Sequence, residues 1–335
     1  MAFGIDIQEE EIRTWGNDIL ETLLLDRTTG ENIIWATDDY AQQGEGYSFH
    51  DQITIEKITG EHNTLIRPRV LKTKERQTGR SKGMAEIFTP SWLCNEQCNV
   101  VDDDWMEQKN AFNVASASGK TWQSTTDKVK FTGKKTWQDY VRSTRLEITC
   151  GEAPYLVSRY DTTTGVLIPI EQRIGFLDRK MRIVGENTED KEDWFFWAQI
   201  AFKNVCGYEW QGDSLLLARE ALLLSYIEYY QAKFSEEMPS VESIHGIASI
   251  ISWNLWQMDG LKFVIPNSCR NGIRKETDMF GNVKEIEEKC PGCKKKGNER
   301  KHNGIYCIIA DWKDHDDPSG ANTQKIRFVD LLKQT

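Results

Sequence analysis

No stretch of about 18 consecutive apolar residues occurs in the 335-residue chain, so a membrane-spanning helix is not expected. The first residues, MAFGIDIQEEEIRTWGND, are acidic and lack the basic-then-apolar order of a secretory leader, which places the expected protein in the cytoplasm. Internal repeats and low-complexity tracts are missing, which sets aside solenoids and disordered arrays. Positive charge is also in short supply. A net charge of -10 argues against a general polyanion binder, because nucleic-acid affinity comes largely from Lys and Arg displacing counterions. No constellation of acidic residues with a lysine reads as the metal site of a nuclease.

What remains is a soluble globular composition, with 39% hydrophobic and 28% charged residues and enough length for two or so domains. The eight cysteines divide into two groups. Cys94, Cys98, Cys150 and Cys206 are scattered, whereas Cys269, Cys290, Cys293 and Cys307 share one polar stretch. In a reducing compartment such a cluster points to metal, not to disulfides. Positive charge is concentrated in two places. One is IRPRVLKTKERQTGRSK, with Arg76, Arg80 and Lys82; the other runs from Lys120 through Lys128, Lys130, Lys134 and Lys135 to Arg145. Each reads as a solvated loop or as a phosphate-contacting patch on duplex DNA.

Hydrophobic periodicity predicts a helix through EEIRTWGNDILETLLL, a strand IIWATDD and a strand-like NTLIRPRVL. TPSWLCNEQCNVVDDDW opens like a helix, with Thr89 as N-cap and Pro90 in the first turn. LEITC is a β-rich run, the polar region 158–192 follows it, and KEDWFFWAQIAFKNV is helical. CGYEW then leads into the helical GDSLLLAREALLLSYIEYYQAKF, and VESIHGIASII precedes NLWQMDGL. Alternating strands and helices favour a parallel α/β sheet.

A strand ending in a small-residue turn can bring backbone N–H groups close to a ligand, and an acid at the end of the next strand can take a ribose hydroxyl. Gly151, Glu152 and Ala153 make such a turn after LEITC, Glu209 ends the strand GYEW, and a third strand ends in Asp259 within MDGL. In order and sequence, FTPSW, LEITCGEAPYL, GYEWQGDSLLLAREALL and NLWQMDGL resemble the motifs of S-adenosylmethionine-dependent, adenine-specific DNA methyltransferases. The chain looks most like bacterial proteins labelled restriction endonuclease subunit M.

That resemblance implies a Rossmann-like methyltransferase sheet binding S-adenosylmethionine. Phe88, Thr89 and Pro90 would cover the methionine end of the cofactor, and Glu147, Cys150, Gly151 and Glu152 would surround its amino-acid and ribose parts. Glu209 would take the ribose hydroxyls and Asp259 the adenine amine. Ala153 stands where the family has a second glycine, an exchange that a negative φ would accommodate. The family's Asp or Asn followed by two prolines and an aromatic is missing. In IIADWKD, Asp311 supplies the acceptor and Trp312 the ring, and Asn254 with Trp256 in SWNLWQ is a rival pair. The implied activity is methylation of adenine in double-stranded DNA, with a specificity or second subunit as partner and no membrane. The alternative is a non-catalytic cofactor- or DNA-binding protein on a degenerate methyltransferase fold.

The remaining segment holds Cys290 and Cys293 as a C-x-x-C knuckle flanked by Cys269 and Cys307, a set that suits one structural zinc. His302 can replace either outer ligand. So polar a stretch has little apolar content to fold around without metal. The expected organisation is an N-terminal α+β extension (1–85), a cofactor-binding core (86–266), a zinc-ribbon insertion (267–303) and the end of the core (304–335).

Overall fold

The computed structural model describes residues 4–6, 9–84, 88–132, 134–277, 279–280, 283–294, 299–312 and 323–333. The expected boundary between residues 85 and 86 lies outside them. The chain is a mixed α/β protein with ten α-helices and four small sheets among the described residues, one of the sheets parallel.

Its N-terminal apolar stripe gives two helices, α1 (Glu9–Trp15) and α2 (Asn17–Leu24), because Gly16 between them adopts extended backbone. IIWATDD is not a regular strand: among the described residues it makes one isolated bridge, Ile34 with Gln52. NTLIRPRVL is likewise no strand. Pro68 starts a single 3-10 turn at Arg69–Leu71, between the short α3 (Ile55–Ile58) and the polar α4 (Lys74–Met84).

The next helix, α5 (Ser91–Met106), begins one residue later than expected. Pro90 is its N-cap, and the Ser91 N–H is taken by the Asp161 carboxylate at 2.7 Å instead of by Thr89. A small antiparallel pair, β1 (Asn113–Ala115) and β2 (Trp122–Ser124), and the short α6 (Trp137–Arg142) lead to β3 (Arg145–Glu147). The polar region after β3 conceals a helix, α7 (Phe176–Asn187). It buries Leu177, Met181, Ile183 and Val184 on one side, and it also buries Arg179 and Lys180, whose charges mask the stripe in the sequence. After it come α8 (Lys191–Lys203), β4 (Val205–Glu209), α9 (Gly212–Lys233), α10 (Val241–Asn254) and β5 (Leu255–Gln257).

Strands β3, β4 and β5 form the parallel sheet in that order, with Glu147 opposite Gly207 and Glu209 opposite Gln257. Helix α9 is the spine of the molecule. It is buried over most of its 22 residues and packs on α2, α7, α10, β4 and β5, which is why its Leu-rich sequence carries almost no amphipathic stripe. No helix among the described residues is long and apolar enough to cross a membrane.

The last third of the chain departs from the expected sheet. An exposed antiparallel hairpin, β6 (Gly272–Thr277) and β7 (Val283–Glu288), precedes β8 (Ile308–Asp311), which among the described residues pairs only with β9 (Gln324–Arg327), in antiparallel register. The run IIADWKD is therefore not a fourth strand of the parallel sheet. Tyr306 bridges to Val264 just past β5, whereas Trp312 reaches Asn254 just before it, so β8 runs back along β5.

Candidate functional site

Parallel strands leave their carboxyl ends on one edge, and a crevice opens there because the chain diverges into loops. On this edge a cavity of about 1070 Å³ lies against the ends of β3 and β4. Its floor is the loop after β3. Thr149, Gly151 and Ala153 all have left-handed φ, at 47°, 54° and 59°. The expectation of a negative φ at Ala153 is thus wrong, and the loop holds two strained non-glycine residues at about 1–2 kcal/mol each. Alternation of left-handed residues curls the loop tightly enough for the Gly151 N–H to donate to Glu209 Oε2 at 2.9 Å across the strand ends.

Two carboxylates line the cavity, one buried (Glu147) and one partly buried (Glu209). Glu147 accepts the N–H groups of Tyr155 and Leu156 at 3.3 and 3.1 Å, and burial pushes its carboxyl up to about 8, with nearby Glu209 adding to the rise. Glu209 is shifted upward too, again by burial, against the N–H bonds from Gly151 and Gln211 that favour its charge. Asp38 and Asp39 stand in the lining as well, and among the described residues no Lys, Arg or His lines the cavity. Phe88 and Thr89 form part of one wall, anchored from below because Asp161 holds the start of α5 and the Thr162 hydroxyl donates to the Thr89 carbonyl at 3.2 Å. In spite of its partial burial, the Asp161 carboxyl is brought down to about 2 by the Thr163 hydroxyl and the N–H groups of Ser91, Thr163 and Thr164. Phe49 and Trp210 make a further part of the wall, with ring centroids 6.2 Å apart at 73°.

Of the residues expected around a cofactor, Phe88, Thr89, Glu147, Cys150, Gly151 and Glu209 line this one cavity. Pro90, Glu152 and Asp259 do not. Pro90 is spent as the cap of α5. Glu152 turns away, taking the Arg69 N–H at 2.6 Å and the Tyr160 hydroxyl at 2.7 Å. Asp259 closes its own loop by accepting the N–H groups of Leu261 and Lys262 and by pairing with the Lys262 ammonium at 3.1 Å.

The expected target-base pair is also elsewhere. Asp311 ends β8 opposite Gln324, and the Trp312 indole donates to Asn254 Oδ1 at 2.8 Å, with Lys203 over its ring. Asn254 in turn donates to the Phe202, Lys203 and Val205 carbonyls, and the Trp256 ring is core. Both pairs lie toward the strand-start edge, opposite the cavity, because β8 runs back along β5.

The first basic stretch is in large part a structural element. Arg80 is buried, and with Lys72 and the Tyr40 hydroxyl it surrounds the fully buried Asp213 at 2.7 to 3.1 Å. These cations, led by Arg80, hold the Asp213 carboxyl far below the usual range against its burial. Lys82 is exposed, and the Arg76 side chain lies outside the described residues. In the second stretch Lys120, Lys128, Lys130, Lys134 and Lys135 are exposed, whereas Arg145 is tied to Asp102 at 3.2 Å.

A second site lies at the base of the β6–β7 hairpin. Cys269, Cys290, Cys293 and His302 bring their ligand atoms within 4.8 Å of one another and can hold a metal ion such as zinc. Tetrahedral zinc, with bonds of about 2.3 Å to sulfur and about 2.05 Å to nitrogen, sets the sulfur–nitrogen edge at about 3.55 Å. The three thiols stand 3.5, 3.6 and 3.5 Å from His302 Nδ1. Gly292 lets the knuckle close, because a side-chain carbon there would meet the His302 ring at 2.6 Å. The Asn303 N–H adds a bond to Cys290 Sγ at 3.2 Å, an outer support that thiolate ligands commonly receive.

Cys307 is not part of this set. It is fully buried in a small core with Tyr208, Trp256, Met258, Ile309 and Phe328, and burial pushes its thiol up to about 12. The fourth member of the group is His302, which sequence spacing offered only as a substitute.

Known protein families, curated proteins and solved structures return no match to this chain.

Proposed function

We propose that the protein is an S-adenosylmethionine-dependent methyltransferase of ring amines, with adenine in double-stranded DNA as its substrate, built on a Rossmann-like sheet. The observation that carries this reading is the charge and position of the cavity. It sits at the carboxyl ends of parallel strands, where dinucleotides and nucleosides bind, yet its lining among the described residues offers carboxylates and no cation. A pyrophosphate would find no positive partner there. A nucleoside that carries a sulfonium and an ammonium finds the Glu147 and Glu209 carboxyls, which gain negative charge as pH rises, and Glu209 at the end of β4 stands where a ribose hydroxyl is taken. The volume suits a ligand of that size, since small-molecule sites run to about 300–1,000 Å³.

A non-catalytic, cofactor-binding protein is the second reading. It is favoured by one observation, that Asp311 and Trp312 stand away from the cavity and offer no acceptor to an amine held in it. The Cys269, Cys290, Cys293 and His302 group is in this proposal a structural zinc site, having four protein ligands and so no open position for chemistry.

The test is thermal. S-Adenosylmethionine or its demethylated product at millimolar concentration should raise the melting temperature by mass action, and Glu209→Gln should cut the shift. Neither compound moving the transition would sink the cofactor. If both bind, tritiated methyl transfer to mixed-sequence duplex separates the enzyme from the non-catalytic protein.

A further inference from the structure

We propose that Asp38, Phe49 and Trp210 form the subsite for the substrate's ring amine, in place of the Asp311 and Trp312 pair. All three line the cavity that holds Glu147 and Glu209, though Asp38 and Phe49 come from the N-terminal segment and Trp210 from the turn after β4. The two segments are stitched together. The Gly212 N–H donates to the Trp35 carbonyl and the Trp210 indole to the Ala36 carbonyl, each at 3.1 Å, and Ala36 holds a left-handed φ of 51° where the chain bends toward Asp38. A strained non-glycine residue at a cavity edge is the kind of backbone that functional sites retain.

The Asp38 carboxylate is positioned but not saturated. One oxygen accepts the Phe49 N–H at 2.9 Å, and the other has no partner among the described residues. The neighbouring Asp39 has one oxygen, Oδ2, engaged by Arg80 at 3.2 Å. One open carboxylate oxygen beside two roughly perpendicular rings fits a flat group with an N–H at its edge: the amine donates to Asp38 while the ring lies on Phe49 or Trp210.

The chemistry rests on the methyltransferase reading. An exocyclic amine has its lone pair drawn into the ring, and a carboxylate holding one N–H returns density to nitrogen. The nitrogen then forms its bond to the methyl carbon as the carbon–sulfur bond breaks, the electron pair of that broken bond passes to sulfur to leave a neutral thioether, and the amine's surplus proton goes to Asp38 and on to solvent.

Binding tests the subsite apart from the cofactor. Full-length protein, with and without the demethylated cofactor, is titrated with deoxyadenosine, with the purine deoxyriboside lacking the amine, and with an N-acetyl-lysine amide bearing a free ammonium. Quenching of tryptophan fluorescence reports binding. Wild type should prefer deoxyadenosine over the amine-free nucleoside by roughly tenfold, the worth of a charge-assisted hydrogen bond. Asp38→Asn still accepts the Phe49 N–H and so keeps the fold, but it should erase the preference and leave the cofactor's melting shift unchanged. No preference in wild type, a preference that survives Asp38→Asn, or tighter binding of the lysine derivative would overturn the subsite. A preference without any cofactor shift would leave the subsite standing and remove the cofactor reading; a cofactor shift without a preference would do the reverse.

Discussion

At the scale of single residues, Glu147 links the fold of the cavity to its proposed ligand. Its carboxyl titrates near 8 in the folded chain, whereas an unfolded glutamate titrates near 4.5. Between those values the folded state holds a proton that the unfolded state has released. The stability this contributes is complete below 4.5 and is lost as pH rises through 8. Glu209 is shifted in the same direction. As both carboxyls ionise, the cavity becomes a better host for positive charge. S-Adenosylmethionine should therefore gain on its uncharged-sulfur product as pH rises from about 6 to about 9, read as the difference between their melting shifts at each pH. The buried Lys180, whose ammonium is pushed downward by burial, affects both ligands' baselines alike and drops out of that difference. A difference that is flat with pH would mean that Glu147 does not face the cofactor's charge.

At the scale of elements, the inserted hairpin shows what spacing can and cannot tell. The C-x-x-C knuckle and Cys269 were legible because thiols that close together in a polar stretch have few other uses. Choosing between Cys307 and His302 was not possible, since it depends on where the chain turns after the hairpin. There, Gly304 and Asn303 fold back on Ser268 and Arg270, while Cys307 continues into the apolar face beside Tyr208 and Trp256. Zinc content should accordingly stay at about one ion per chain in Cys307→Ser and fall toward zero in His302→Ala, by elemental analysis of protein purified without added metal. The reverse pattern would restore the all-cysteine set. Cys307→Ser should still lower stability, because it places a hydroxyl in an apolar site.

Comparable logic explains the rest of the elements. The order of strands β3, β4 and β5 and of helices α8, α9 and α10 could be read from periodicity and caps, whereas the nine expected cofactor residues were named as a set by the methyltransferase resemblance, and six of them line one cavity. Helix α7 was hidden by its buried Arg179 and Lys180, which look like surface charges until Asp102 and the Val141 and Asn204 carbonyls are seen around them. The contributions of Asp38 and Phe49 to the cavity were hidden differently. They come from a segment about a hundred residues before the β3 loop, and only the turn at Ala36 brings them there.

At the scale of the whole molecule, two basic stretches in an acidic chain now have different expected roles. Arg80 joins α4 to the start of α9 through Asp213, and removing one partner of a buried pair strands the other charge. Arg80→Ala should cost about 3–5 kcal/mol in denaturant unfolding. Any drop in nucleic-acid binding in that variant would follow from unfolding. The lysines at 128, 130, 134 and 135 are exposed, and binding to phosphate there would be sequence-independent and screened by salt. Replacing all four by Ala should leave the melting temperature close to wild type, as surface changes do, and should weaken duplex binding for all sequences alike. It should also flatten the dependence of affinity on salt, since each phosphate left without its lysine takes about 0.9 off the logarithmic slope. Unchanged affinity and slope in the quadruple variant, with a folded protein, would place the duplex on another face or remove it as substrate. The Asp38 subsite would then have to receive its ring amine from something other than a duplex.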